Sequence, residues 1–296
     1  MQCRLRPLDA RLRARDGCAL HSTHAMSRVR LYASEAIVIR HSNYGEADRI
    51  LTLMTPELGK LRVIAKGVRK ITSRKAGHVE LFTRVKLLLA RGRTFDIISQ
   101  AETIETYRPL REDLLRGSYA HYLSELIDAF AQEGSEDSAL YDLLVNGLDW
   151  IATAPDPALA TRYFELRLLT ITGYRPQLFR CARTGEAVNI DAPAGTGGPA
   201  SVAFSPMEGG ILSPPVARLA RDASPLPVNV LGLLRALQTQ PFDAVRDLEI
   251  STVAHAQAEQ TLRRYLTFVL ERTLRSTHFL RQLVAENRLE SKTETS

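Results

Sequence analysis

The chain of 296 residues lacks the features of a membrane protein or a disulfide-stabilised protein. It has no uninterrupted run of about 18 apolar residues, which a membrane-spanning helix would need. Its three cysteines, Cys3, Cys18 and Cys181, show no paired spacing. That pattern argues against a disulfide framework and is typical of a reducing compartment. The sequence therefore predicts a cytoplasmic protein with no membrane association.

The signatures of common enzymes are missing as well. There is no Walker-type phosphate loop, and no G-x-G-x-x-G follows a predicted strand. The seven histidines contain no H-x-H or H-E-x-x-H spacing, and the carboxylates contain no Asp-x-Asp. The remaining acid pairs, such as Glu125 with Asp128, are interpreted as solvated surface groups. The sequence predicts no catalytic site, no metal and no cofactor.

Negative charge is almost absent between residues 60 and 93. This segment holds eleven Lys or Arg residues and one carboxylate, Glu80, although the formal net charge of the whole chain is only +6. Charge of one sign in one place creates a field that attracts polyanions, of which nucleic acid is the most common in cells. A merely solvated surface usually mixes both signs. The segment therefore predicts nucleic-acid binding.

The same region predicts a small β-barrel. Five strand-like segments, residues 34–41, 48–55, 60–66, 79–90 and 94–107, are rich in β-branched and apolar residues and are separated by turns. Five short strands of this kind favour an oligonucleotide-binding (OB) barrel, which binds strands on its open face and through its loops. The loop at residues 67–78, here called the basic loop, has four cations and no acid.

The candidate DNA-binding residues follow from this charge map. We expect phosphate contacts from residues in and beside the basic loop, with a second rank elsewhere in the barrel. The first group is Lys66, Arg69, Lys70, Arg74 and Lys75, and the second is Arg62, Arg91 and Arg93. Tyr44, in the first interstrand loop, is the candidate for base stacking, whereas Phe82 and Phe95 are interpreted as core. Many cations and few exposed rings predict salt-sensitive, nearly sequence-independent binding to the backbone.

Beyond Pro109 the apolar period becomes helical. Helices are predicted at residues 119–130, 138–153, 157–172, 252–272 and 275–286. Residues 191–228 contain seven prolines and five glycines. This density predicts neither a helix nor a central strand, but a long loop or an eroded small module. The first 28 residues, with Met26 as a second possible start, are interpreted as a disordered arm or a mis-assigned extension.

Several segments of the chain, taken in order, carry a family resemblance. Residues 35–70 (EAIVIRHSNYGEADRILTLMTPELGKLRVIAKGVRK) resemble the opening barrel of the RecO family of bacterial recombination-repair proteins. The helical segment SYAHYLSELIDAF resembles the start of its second domain. Further on, ELRLLTITGYRPQLFRCARTGEAV and FSPMEGGILS keep the family's later order. No single motif is diagnostic, but together these segments span about residues 29–281.

One departure from the family concerns a four-cysteine zinc site that many members carry. Cys181 occupies the first ligand position, but Thr184, Ser213 and Val216 stand where the other three cysteines would be. One thiolate does not make a tetrahedral structural zinc site. We therefore expect no metal, and Cys181 is interpreted as an ordinary small apolar residue.

The resulting prediction is an α+β multidomain protein. A five-stranded OB-type β-barrel (residues 29–108) follows the extension (1–28). An α-helical domain (109–180 and 229–286) is interrupted by an eroded zinc-module-like insertion (181–228), and a polar tail (287–296) ends the chain.

The resemblance implies a recombination mediator of the RecF-type pathway in double-strand-break and gap repair. It implies binding of single- and double-stranded DNA and annealing of complementary strands. It also implies contact with the acidic C-terminal tail of single-strand-binding protein, and recombinase loading with a RecR-type partner, in the cytoplasm at the nucleoid. Three alternatives remain open from the residues themselves: an RNA-binding OB-fold protein, a scaffold that binds acidic peptide tails, and a nuclease, which the missing acid cluster disfavours.

Overall fold

The computed structural model describes residues 31–188 and 201–293, except the side chains of residues 201 and 287–293. The predicted extension at residues 1–28 lies outside these ranges. Residues 191–200, the first part of the Pro- and Gly-rich segment, lie outside these ranges as well. Among the described helices, none has both the length and the hydropathy that crossing a membrane requires.

The first five strands close into a barrel. They are β1 (Leu31–Tyr44), β2 (Asp48–Thr55), β3 (Gly59–Ala65), β4 (Arg84–Ala90) and β5 (Asp96–Glu105). Their order around the barrel is β1-β2-β3-β5-β4, and β4 pairs with β1 to complete it. The β3–β5 pair is parallel and the other pairs are antiparallel. The predicted five-stranded OB-type barrel is therefore confirmed.

Alternation of side chains builds the barrel core. Along β4, Val85, Leu87 and Leu89 are buried, whereas Arg84 and Lys86 point outward. The predicted fourth strand, residues 79–90, was too long at its start. Phe82 has a φ of 64°, a left-handed conformation that interrupts an extended strand, so β4 begins only at Arg84.

A helical domain covers one side of the barrel. Its helices are α1 (Pro109–Glu112), α2 (Leu114–Phe130), α3 (Ser138–Thr153) and α4 (Pro157–Ile171). After the insertion follow α6 (Val228–Thr239), α7 (Phe242–Val245), α8 (Thr252–Leu270) and α9 (Ser276–Thr293). Asp113, Asp137 and Asp156 cap the amino ends of α2, α3 and α4 through main-chain N–H groups. Barrel residues Ile37 and Met54 belong to the same apolar cluster as these helices, so the two parts share a core.

The described part of the Pro- and Gly-rich segment, residues 201–228, is more ordered than the sequence predicts. It contains β6 (Ser201–Ser205), β7 (Gly210–Leu212), α5 (Pro214–Ala217) and β8 (Ser224–Pro227). These strands form a sheet of order β7-β6-β8, so β6 is a central strand and the prediction that excluded one was wrong. The prolines of the sheet lie in the edge strand β8, where a missing N–H donor is tolerated.

The four positions that the resemblance assigns to zinc ligands converge in this module. The Cys181 Sγ accepts hydrogen bonds from Ser213 N at 3.3 Å and Ser213 Oγ at 3.5 Å, and Val216 packs in the same apolar cluster. Burial raises the pKa of the Cys181 thiol, but hydrogen bonds from Ser213 and Thr184 outweigh it and lower the pKa to about 6. Cys181 is thus a hydrogen-bond acceptor and not only an apolar residue. One thiol, two hydroxyls and a valine do not fit a zinc ion.

Candidate nucleic-acid interface

The structure divides the cations of residues 60–93 into two groups. In the first group, carboxylates lie close by. Lys60 Nζ lies 3.3 Å from Asp128 Oδ1, and Arg84 Nε lies 2.5 Å from Glu35 Oε1. Lys86 on β4 is flanked in register by carboxylates of β1 and β5. These cations are balanced locally, and none of them was among the candidate DNA-binding residues.

The second group lies on and around the basic loop, which is anchored at both ends. At its start, Gly67 has a φ of +65° and donates its N–H to Asp48 Oδ1 at 2.7 Å. Any other residue would be strained at that φ. Val68 and Val79 are buried in the barrel core and hold the two ends of the loop. The exposed residues between them are therefore presented by a fixed base.

The first-rank candidates are mostly free of partners. The side chains of Lys66, Lys70 and Arg74 are exposed, and within the described ranges no carboxylate lies within 4.0 Å of their charged nitrogens. Arg69 Nη1 donates to Gly45 O at 3.3 Å, and Lys75 Nζ donates to Ile98 O at 2.9 Å. These two contacts orient the side chains without neutralising their charge.

Tyr44 lies beside the basic loop. It is 50% exposed and is the last residue of β1, where it pairs with Asp48, so it belongs to a strand end and not to the loop that the sequence predicts. Arg69 contacts the following residue, Gly45, through its side chain, and Arg69 N donates to Ala47 O at 2.9 Å. The structure therefore brings the stacking candidate and the basic loop together.

The second-rank arginines are arranged differently, because two of them lie over aromatic rings. The guanidinium carbon of Arg62 lies 5.1 Å from the centre of the Phe95 ring, and that of Arg91 lies 4.9 Å from the Tyr32 ring. Arg93 is exposed in the turn between β4 and β5. Phe95 is half-buried under Arg62, so interpreting it as core was incomplete. Phe82 is 3% exposed, and its interpretation as core is confirmed.

Asp96, which the sequence analysis missed, organises this patch. Tyr32 donates its hydroxyl to Asp96 Oδ2 at 2.5 Å, and Gly92 N donates to Asp96 Oδ1 at 2.8 Å. Burial, together with this bond to Asp96, raises the pKa of the Tyr32 hydroxyl. No sequence signal connects residues 32 and 96, because the contact depends on closure of the barrel.

The two parts of the site are continuous along β5. Asp96 pairs with Val63, the neighbour of Arg62, and Lys75 of the basic loop reaches Ile98 O two residues further along β5. Lys75 of the first rank and Arg62 and Arg91 of the second rank thus lie around the start of β5. This arrangement places part of the basic loop next to the two guanidinium groups that lie over rings.

The acids of the helical domain are engaged in structural contacts. Glu125 accepts from Arg275 N and Ser276 N, each at 2.8 Å, and so caps α9. Asp128 lies within 4.0 Å of Lys60 and Arg40. The interpretation of this acid pair as solvated was therefore wrong, because the sequence does not show which cations fold against α2.

The helical domain also contains a buried ion pair at the wall of a cavity. Arg162 Nη2 lies 3.0 Å from Glu165 Oε1, which also accepts the Tyr122 hydroxyl at 2.5 Å. Among the described residues, no group bonds to Arg162 Nε or Nη1. The cavity lies between α2, α4, α8 and α9, and Arg263 and Arg281 also line it. Glu259 lines the cavity too and lies within 4.0 Å of Arg263 Nε and Arg281 Nε, so three arginines and one carboxylate face this recess, which is separate from the barrel surface.

Comparison with known proteins agrees with the fold. Residues 26–107 match the family model "Recombination protein O N terminal", and residues 111–278 match "Recombination protein O C terminal". The chain is 42% identical over 253 residues to the DNA repair protein RecO of a Roseiflexus species, covering 86% of each protein. It is 39% identical to that of Pelotomaculum thermopropionicum, covering 85% of this chain and 94% of the relative. It is 33% identical to that of Dehalococcoides mccartyi, covering 87% and 98% respectively. The chain belongs to the RecO family of DNA repair proteins.

Proposed function

We propose that this protein is a recombination mediator without enzymatic turnover. It binds single- and double-stranded DNA mainly through phosphates, anneals complementary strands and helps to load a recombinase onto DNA coated with single-strand-binding protein. The observation that carries the proposal is the group of exposed cations without carboxylate partners on the anchored basic loop. It acts in the cytoplasm, at the nucleoid.

The chemistry of this surface suits annealing. Ammonium and guanidinium groups neutralise phosphates on either strand, which lowers the repulsion between two approaching strands. A surface that holds backbones leaves base edges free to find their complements. Because the basic loop has a fixed base, its main chain loses little freedom on binding, and this reduces the entropic cost of association.

The partners named by the resemblance are part of the proposal. They are the acidic tail of single-strand-binding protein, a RecR-type protein and the recombinase. The cavity beside Arg162 supports the first of these, because it combines apolar side chains with guanidinium groups that lack a full set of partners. Arg281→Glu should weaken binding of a labelled acidic tail peptide in fluorescence anisotropy. Unchanged binding would exclude this cavity as the binding site of the tail.

The direct test of the function is annealing of two complementary strands coated with single-strand-binding protein. Wild type should anneal them quickly, and a variant with alanine at Arg69, Lys70, Arg74 and Lys75 should not. Absence of annealing by wild type despite tight DNA binding would contradict the mediator role.

Side-by-side binding to RNA and DNA of one sequence separates the mediator from an RNA-binding barrel. Clear preference for RNA would favour that alternative. Strand cleavage on addition of magnesium would contradict the absence of catalysis.

A further inference from the structure

Two guanidinium–ring pairs flank a single carboxylate at the start of β5. Arg91 lies over Tyr32, whose hydroxyl is bonded to Asp96, and Arg62 lies over Phe95, the residue before Asp96. Both arginines are exposed, whereas both rings are half-buried. No carboxylate within the described ranges lies within 4.0 Å of the nitrogens of Arg62 or Arg91. The rings, and not ion pairs, therefore hold these guanidinium groups in place.

The patch is rigid because Asp96 is bonded on both oxygens. One oxygen fixes the Tyr32 ring, and the other fixes the turn between β4 and β5 through Gly92 N. Phe95 is held next to β3 by the parallel pairing of Asp96 with Val63. An exposed arginine usually samples many rotamers, and ordering it costs entropy. Here that cost is already met in the free protein.

An exposed guanidinium group that lies over a ring has its outer side open to solvent. Bases that are not paired in a helix stack on aromatic rings and on guanidinium planes. The N–H edge of the same group remains available for a phosphate. Lysine ammonium groups such as those of Lys66 and Lys70 have no plane and offer only charge. The two parts of the surface therefore differ in the part of a nucleic acid that they recognise.

We propose that Arg62 and Arg91, ordered by Phe95 and Tyr32, form a stacking platform for unpaired bases. The platform distinguishes single strands from duplex, because the base faces of a duplex are already stacked on one another. The basic loop holds the phosphates of either form. This inference rests on the proposed DNA binding and adds to it a separate site for bases.

The test uses a charge-conserving pair of variants. R62K/R91K removes both guanidinium planes and keeps the net charge, and R69K/R74K makes the same chemical change in the basic loop. Affinity is measured for an oligothymidine strand, for a strand of equal length made of abasic sites, and for a duplex. The abasic strand has the same phosphates but no bases.

Wild type should bind the base-bearing strand more tightly than the abasic strand. R62K/R91K should lose about five- to tenfold in affinity for the base-bearing strand, as expected for one or two weakened stacking contacts. Its affinity for the abasic strand and the duplex, and its salt dependence, should stay unchanged. R69K/R74K should keep the wild-type ratio between base-bearing and abasic strands.

Equal loss on all three ligands, or an unchanged ratio in R62K/R91K, would overturn the platform. Phe95→Leu is the second variant, because it leaves both charges and removes one ring; it should also lower the ratio. Equal binding of base-bearing and abasic strands by wild type would overturn the platform and leave the proposed function intact. Failure of wild type to bind any DNA would contradict both the stacking platform and the proposed function.

Discussion

The barrel and the helical domain both contain many basic residues, which in the helical domain (residues 109–180 and 229–286) are arginines and histidines without lysine, but they use them differently. On the barrel, Lys66, Lys70 and Arg74 are exposed, with no carboxylate within 4.0 Å of their charged nitrogens in the described parts of the chain. In the helical domain, Arg162 pairs with a buried glutamate, and Arg116 donates to two main-chain carbonyls at the end of α3.

From this difference we infer that a local surplus of cations produces an attractive field for polyanions only where the fold supplies no carboxylate partner. An exposed cation without a partner keeps its hydration and its field, and it contributes little to stability. A buried cation has lost its hydration, so it depends on its partner and the partner depends on it. Substitutions in the two regions should therefore change different measured quantities.

The largest effect is expected on the helical side, at the buried ion pair. Arg162→Ala leaves Glu165 buried without its cation, and this should lower the free energy of unfolding by about 3–5 kcal/mol. DNA affinity of the folded fraction should stay at the wild-type value. Urea denaturation gives the first quantity and fluorescence anisotropy the second. If Arg162→Ala lost DNA affinity but kept wild-type stability, the contrast drawn between the barrel and the helical domain would be wrong.

The second effect is expected on the barrel side. The variant K66A/K70A/R74A removes three exposed charges and avoids the main-chain contacts of Arg69 and Lys75. At 0.1 M salt, its affinity for single-stranded DNA should fall about a hundredfold, if each cation neutralises one phosphate. Its free energy of unfolding should change by no more than about 0.5 kcal/mol per substitution.

The matched control for that variant is K86A/R218A/R221A, which removes the same net charge from exposed positions away from the basic loop. It should bind DNA much more tightly than the loop variant. Equal losses in the two variants would show that net charge, and not the loop, determines affinity.

Arg84 sharpens the comparison because it lies on the barrel but is paired like the arginines of the helical domain. It contacts Glu35, which also accepts the Tyr141 hydroxyl at 2.6 Å. Arg84→Ala should cost about 1 kcal/mol of stability, and it should leave the salt dependence of DNA binding unchanged. A reduced salt slope in this variant would place a phosphate near Arg84 and contradict the division into two groups.

The smallest effect concerns a carboxylate and depends on pH. Burial raises the pKa of Glu125, but hydrogen bonds from Ser276 and Arg275 N outweigh it, so the pKa is lowered in the folded protein. The stabilisation is therefore present above the unfolded pKa of about 4.3 and is lost as the pH falls through the folded pKa. Glu125→Gln should be less stable than wild type at pH 7, and the difference should shrink below about pH 4. A pH-independent difference would contradict this.

The sequence predicted local structure well and long-range contacts poorly. The bounds of β2 and α3 are as predicted, because their periodicity and flanking turn residues are local signals. Strand β6 was missed, because the prediction used the high Pro and Gly content of the whole segment, whereas the five residues of β6 contain no proline. The stacking of Arg62 on Phe95 and the bond between Tyr32 and Asp96 were also missed, since both depend on how the barrel closes. Residues 1–28 and 191–200 lie outside the described ranges.

The central claim is that the exposed cations in and beside the basic loop hold DNA phosphates. The most direct measurement is the slope of log affinity against log salt concentration for single-stranded DNA, in wild type and in K66A/K70A/R74A. The account predicts that the slope of the variant is less steep by about 2, or roughly 0.7 per lost phosphate contact. Equal slopes in the two proteins would contradict it.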